Sequence, residues 1–221
     1  MSLPERKLLF DPLIEAKISK DTQAIAELLR EREFSTVVVL GSAGAGKSTV
    51  VERVAPMLGA EKIMADEVFG QNPFFGPDKT DRKRWAFSSN VWFLTEKFKL
   101  IRDRYLHLAG IESQPKVIMD SGLTMGLVYA KLCLEQGLYT SEEYELFNQL
   151  STELITQLPQ PNLYLRLKMP PAQLRQRVLQ RGRQFEIERY TEEYLRSLEN
   201  ALSEQWETLQ TSGIPALEYD L

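Results

Sequence analysis

"STVVVLGSAGAGKST", residues 35–49, runs from β-branched residues into a glycine-rich turn, then into a lysine and two hydroxyls. A continuous β-branched run suits a strand buried on both faces, as in a parallel sheet. Gly41, Gly46, Lys47 and Ser48 satisfy G-x-x-x-x-G-K-[ST] without a gap. Glycines let successive backbone N–H groups turn inward as an anion nest. A helix opening at Lys47 adds the positive end of its dipole. The lysine then reaches β- and γ-phosphates, and the serine hydroxyl serves Mg²⁺. Gly41, Ser42, Ala43, Gly44, Ala45, Gly46, Lys47, Ser48 and Thr49 are therefore read as a nucleotide cradle. A glycine turn with a solvated lysine would not account for strand, turn and helix in succession.

Outward from the loop, strand and helix patterns alternate. Strands are expected at 61–67, 115–120, 162–169 and 215–220, besides 35–41. Helices are expected at 47–59, 81–108, 124–136, 141–157, 170–182 and 191–209, with Pro56 ending or bending the first. Asp21 is a candidate N-cap for an earlier helix, 21–32, carrying Ile25, Leu28 and Leu29 on one side. In the long helix, Trp85, Val91, Trp92, Phe98, Ile101 and Tyr105 form a broad apolar face. Alternation of this kind implies an α/β fold, three-layered α/β/α, with five parallel strands. Residues 35–221 then make one domain, preceded by a helical extension, 1–34, of no evident role.

The 221 residues carry a net charge of −4, which argues against non-specific binding of nucleic-acid polymers. No apolar run reaches the roughly 18 residues of a membrane span. The charged start shows no signal-peptide pattern. The single cysteine, Cys133, excludes an intramolecular disulfide and fits a reducing cytoplasm. The single histidine, His107, lies in the long helix, where a solvated or packing role suits it better than a catalytic triad.

A phosphate loop needs a carboxylate near the metal and a group that activates the attacking oxygen. Asp120 closes an apolar strand, and Asp66 and Glu67 close another. Ligands of open α/β sheets sit beyond such strand ends, although a strand-end acid also serves as a turn or cap residue. The segment "RQRVLQRGRQFE", 175–186, holds Arg175, Arg177, Arg181, Arg183 and Glu186. Arg177 and Arg181 share a helix face. Gly182 then marks a helix end, so the segment reads either as a solvated basic face or as a lid closing on phosphates.

These features together resemble the deoxynucleoside kinase family, of the bacterial deoxyadenosine/deoxyguanosine type. "EVFGQNP", 67–73, matches that family's E-P-V-x-x-N-P. "RWAF", 84–87, matches its helix start, and "AKLCLEQGLYTSEEYELFNQL", 130–150, its "K…EQG" stretch. Arg181, Arg183 and Glu186 followed by "YLRSL" match its lid. The resemblance runs from about residue 35 to 221. It implies an ATP-dependent kinase acting on a 5′-hydroxyl, with Glu67 as general base and Lys47, Arg181 and Arg183 on the γ-phosphoryl group. Arg177 would also contact ATP. Ser48 would hold Mg²⁺, with Asp120 reaching it through water. Trp85, Phe87, Asn90, Lys97, Asp120 and Glu186 would line the acceptor site, with Glu186 at the sugar 3′-hydroxyl. Homodimerisation through the long helices is also implied.

The chain departs from the family pattern in its acceptor half. Asn90 stands where the family has a base-reading glutamine, and Lys97 where it has an arginine. Asp120-Ser121-Gly122 replaces D-R-S, removing a cation from the reacting centre. By analogy with an oxyanion donor, that loss is worth about 2.7–4 kcal/mol in the transition state. Lys97 and Arg84 are candidate substitutes. A kinase for another hydroxyl compound or a nucleotide, or a weakly catalytic nucleotide-binding regulator, are the competing readings.

Overall fold

The computed structural model describes residues 12–64, 68, 70–76, 78–111 and 115–221. Five strands form one parallel sheet in the order β2-β3-β1-β4-β5. They are β1 (Thr36–Leu40), β2 (Glu61–Met64), β3 (Val117–Asp120), β4 (Leu163–Lys168) and β5 (Ala216–Asp220). Every residue of β1 and of β3 is buried. Because side chains alternate across a strand, burial of all of them requires cover on both faces of the sheet. The expected three-layer α/β architecture with five parallel strands is therefore present.

The central position of β1 has a direct consequence. The chain leaves it first towards β3 and β2, then towards β4 and β5, so the order reverses beside β1. A crevice opens where such a reversal occurs, beyond the carboxyl ends of the strands. Register sharpens this placement: Val39 pairs with Asp120, and Leu40 with Arg166.

Helices are α1 (Pro12–Arg30), α2 (Lys47–Met57), α3 (Arg82–Ala109), α4 (Thr124–Glu135), α5 (Ser141–Thr156), α6 (Pro171–Arg181), α7 (Gln184–Arg189) and α8 (Glu192–Thr211). Pro56 falls in the last turn of α2, in keeping with its inability to continue a helix. Asp81 caps α3, its carboxylate accepting from the Arg84 N–H at 3.1 Å. Helix α5 begins at Ser141 as expected, with a capping box formed by Thr140 and Glu143. Four of the six expected apolar positions of α3, Trp85, Val91, Trp92 and Phe98, are only half-buried, while Ile101 and Tyr105 are buried.

Two expectations need correction. Asp21 is not a helix cap: α1 begins at Pro12, and Asp21 lies inside it. Its carboxylate instead accepts a hydrogen bond from the Tyr219 hydroxyl of β5 at 3.2 Å, a tertiary contact with no local sequence signature. The expected helices also omit α7, which folds just after Gly182 ends α6 in the left-handed region, φ 72°. The strand expected at 61–67 is described only to Met64. Asp66 and Glu67 lie outside the described residues.

Helix α1 packs on α2. Its Ile25, Ala26 and Leu29 are fully buried and belong to the same hydrophobic cluster as β1 and α2. Leu29→Ala should therefore behave as a core truncation, costing about 2–5 kcal/mol. Urea unfolding monitored by tryptophan fluorescence would measure it, and a loss below about 0.5 kcal/mol would show that α1 is not part of the cooperative unit.

Candidate active site

The loop between β1 and α2 takes the backbone form its glycines allow. Gly44 and Gly46 sit at φ 87° and 88°, where a side chain is strained. A Cβ on Gly44 would also lie 3.0 Å from the Leu174 carbonyl oxygen, and one on Gly46 3.3 Å from an Arg177 guanidinium nitrogen. Helix α6 thus packs directly on the loop and brings Arg177 to its mouth. Burial lowers the proton affinity of Arg177, though a guanidinium stays charged throughout the physiological range. Lys47 begins α2 and points back across the loop, its ammonium donating to the Ser42 carbonyl oxygen at 3.2 Å.

Asp120 closes the other side of the crevice. It is fully buried, and both oxygens are occupied: Ser48 Oγ donates to one at 2.6 Å and Ser121 Oγ to the other at 2.8 Å. Ser121 holds a left-handed backbone, φ 67°, unusual for a residue with a Cβ. Its N–H donates to the Val39 carbonyl at 2.9 Å, which ties the turn to β1. A hydroxyl and a carboxylate set together at the start of α2 suit a hard cation that takes oxygen ligands. Among the described residues no three histidine, cysteine, aspartate or glutamate side chains converge. Mg²⁺ commonly takes one or two protein ligands and fills the rest with waters and phosphates. Ser48 and Asp120 therefore fit it.

A second network supports the loop from behind. Ser42 is fully buried, and its hydroxyl donates to Glu199 of α8. Glu199 pairs at 3.2 Å with Arg166 of β4, whose side chain is 5% exposed. Arg166 also reaches Glu218 at 3.2 Å and Ser203 Oγ at 2.8 Å. The Arg166 charge is thus paired with two carboxylates through its terminal nitrogens, while its buried Nε has no partner among the described residues. Arg166 within "LYLRLK" was the only sequence hint of it, and nothing local pointed to Glu199.

The lid residues are brought together but face one another. Glu186 is 2% exposed and pairs with Arg183 at 2.9 Å and Arg181 at 3.4 Å. Arg175 holds α7 against α6 by donating to the Ile187 and Tyr190 carbonyls at 2.6 and 3.0 Å. Of the expected lid arginines, only Arg177 lies at the phosphate loop here. Arg181 and Arg183 keep side chains 41% and 48% exposed.

The acceptor-side residues divide into two groups. Phe87 and Asn90 share a face of α3 and meet Tyr139, an aromatic that the sequence reading passed over. Phe87 packs edge-on against the Tyr139 ring at 5.6 Å, and Asn90 Nδ2 donates to its hydroxyl at 2.8 Å and to Cys133 Sγ at 3.6 Å. Burial pushes the Tyr139 hydroxyl and the Cys133 thiol up, so both keep their protons. Trp85 turns instead to Phe74, stacked at 5.9 Å, with Arg84 over its ring at 4.7 Å. Lys97 is half-buried further along α3. Asn72 anchors the loop before α3, donating to Ser89 Oγ at 3.0 Å and accepting from the Phe74 N–H at 2.8 Å. His107 is exposed on α3, as a solvated histidine would be.

The family model described as deoxynucleoside kinase matches residues 37–221, which take in the loop, Asp120 and the lid. The chain belongs to the deoxynucleoside kinase family. It is 28% identical over 174 residues to a deoxyadenosine/deoxycytidine kinase of Bacillus subtilis, covering 76% of this chain and 77% of that protein. It is also 28% identical over 150 residues to a Bacillus subtilis deoxyguanosine kinase, covering 68% of each. Among solved structures, a deoxyadenosine kinase from M. mycoides with bound dCTP superposes with a TM-score of 0.69. That match has 21% identity and covers 84% of this chain and 89% of that one, a likeness of fold.

At the end of β3 the kinase has Ser121, an uncharged residue whose hydroxyl donates to Asp120. The loop's own support can be tested separately. Glu199→Ala would leave Arg166 with Glu218 as its one carboxylate partner and would free the Ser42 hydroxyl. It should cost about 1.5–3 kcal/mol in urea unfolding, as for loss of hydrogen bonds to a charged group. ATP affinity should fall with it. Unchanged stability and unchanged ATP binding by calorimetry would show that the network does not hold the loop.

Proposed function

We propose that this kinase transfers the γ-phosphoryl group of ATP to the 5′-hydroxyl of a deoxynucleoside. The observation that carries the reading is the loop 41–49, folded as an anion nest beside Asp120, in a chain that matches the deoxynucleoside kinase model over 37–221. Glu67 is the proposed general base. It follows β2, whose end lies beside Asp120 through the pairing of Met64 with Asp120. In the reaction Glu67 takes the 5′-hydroxyl proton, the freed oxygen bonds to the γ-phosphorus, and the bond to the β-γ bridging oxygen breaks. The products are a nucleoside 5′-monophosphate and ADP. The loop N–H groups, Lys47 and Arg177 hold the phosphates in line. Arg181 and Arg183 exchange Glu186 for the transferring group when the lid closes, which frees Glu186 for the sugar 3′-hydroxyl. Ser48, and Asp120 through water, would hold Mg²⁺, which would supply charge neutralisation for the transferring phosphate.

A homodimer is part of this proposal. The half-buried Val91, Trp92 and Phe98 of α3, and Leu146 and Leu150 of α5, 48% and 39% exposed, offer apolar surface for a second copy. A cytoplasmic location accords with a single, buried, free cysteine.

ATP-dependent phosphorylation across the deoxynucleosides, their ribose and monophosphate counterparts and simple alcohols tests the reading. A deoxynucleoside should turn over, and Glu67→Gln should lower kcat by about 10²–10⁴-fold. ATP binding without turnover of any nucleoside would overturn it in favour of a regulatory role.

A further inference from the structure

Arg82, the first residue of α3, and Arg189, the last residue of α7, meet at the wall that also holds Asn90 and Cys133. Arg82 lies over the Tyr194 ring at 5.8 Å and donates to Gln136 Oε1 at 2.9 Å. Arg189 lies over the Phe75 ring at 4.5 Å, and its positive charge acts on Tyr194. The positive charges of both act on Cys133, to which Asn90 donates. Each arginine has a buried Nε with no partner among the described residues. No described carboxylate pairs with either, and Glu186, on the same short helix as Arg189, is taken by Arg181 and Arg183.

Two guanidiniums gathered without a carboxylate repel each other, and burial adds to the cost. Both effects weaken the hold of Arg82 on its proton, burial being the larger. Gln136 and the Tyr194 and Phe75 rings offset part of that cost, and a ligand that supplies acceptors would offset more. Arginine has five donors and no acceptor. The Asn90 amide nitrogen is committed to Tyr139, so Oδ1 is the part of that amide left for a ligand. The wall therefore offers cationic donors and one amide oxygen.

Among nucleobases, a 6-oxopurine fits this set. Its O6 and N7 are both acceptors and match a guanidinium fork. Its N1–H is a donor for an amide oxygen. Adenine would place its exocyclic amino group, a donor, against the two cations. We propose that Arg82 and Arg189 read the base of the acceptor and that the preferred substrate is a 6-oxopurine deoxynucleoside, of which deoxyguanosine is the type. The proposal rests on the nucleoside kinase reading above and narrows it.

The test is kcat/KM for deoxyguanosine, deoxyinosine, 7-deazadeoxyguanosine, deoxyadenosine and deoxycytidine, in the wild type and in Arg82→Met, Arg189→Met and Arg189→Lys. Deoxyguanosine and deoxyinosine should lead, and loss of N7 should weaken the substrate. Either methionine variant should lower kcat/KM for the oxopurines by ~10–100-fold, the range of a lost bidentate base contact. Turnover of deoxyadenosine should change far less, and KM for ATP should stay close to that of the wild type. Arg189→Lys keeps the charge and loses the fork, so it should fall with Arg189→Met. It also guards against a methionine variant that fails to fold, which thermal unfolding would reveal. Wild-type preference for deoxyadenosine or deoxycytidine, or an equal loss on every nucleoside in all the folded variants, would overturn the base reading and leave the kinase reading standing. Failure to phosphorylate any nucleoside would bring down both.

Discussion

The contact between Ser48 and Asp120, 2.6 Å from hydroxyl to carboxylate, is where the two halves of the crevice are joined. It follows from the parallel pairing of β1 with β3, which sets Val39 against Asp120 and so puts a buried acid beside the exit of the loop strand. A slip of one residue would send that carboxylate to the opposite face of the sheet. The burial of every side chain in β1 and β3 makes such a slip costly, because it would exchange apolar neighbours on both faces at once. The geometry of the phosphate site is therefore fixed by the packing of valines, leucine, isoleucine and methionine well below it.

Carboxylates near a phosphate site oppose anion binding unless something neutralises them. This chain keeps Glu199 behind the loop, with Arg166 against it and the Ser42 hydroxyl in front. The local charge is balanced, so the loop gains a rigid anchor without a net negative field. Glu186 is handled likewise by Arg181 and Arg183. The difference is exposure. Arg166 is buried with its partners, whereas Arg181 and Arg183 are nearly half exposed; Glu186 itself is buried, so those arginines can leave it only if another donor takes their place.

What could be read from the sequence was local or periodic. The strand-turn-helix around Gly41–Ser48, the order of the elements and the acid at the end of β3 are properties of neighbouring residues, and they were legible. Contacts made across the fold were not. Asp21 looks like a cap and is the acceptor for Tyr219. Glu199 looks like one more charge on α8 and is the anchor of the loop. Tyr139 carries no signal of its partnership with Asn90. Arg82 and Arg189 are far apart in sequence, and each alone reads as a solvated charge. Pairing of this kind is decided by which helices pack together, and no short window of residues encodes it.

The acceptor half is where this chain departs from the family pattern, and the departures have a common physical direction. At the end of β3 a hydroxyl stands in place of a cation and turns inward onto Asp120. At the base wall an amide is shorter and its nitrogen is tied to Tyr139. Meanwhile two guanidiniums are brought to the same wall from the start of α3 and the end of α7. Positive charge has thus moved off the rigid sheet and onto elements bordering the lid. Charge on a sheet edge is present whether or not the lid is shut. If the α6–α7 segment closes as a lid, as proposed, charge on α7 contributes to the site in proportion to closure. In the proposed reaction that arrangement would couple recognition of the acceptor to completion of the phosphate site, because Arg189 and Glu186 ride on one six-residue helix. A base that satisfies Arg189 holds down the same helix whose neighbouring arginines must reach the transferring phosphoryl group.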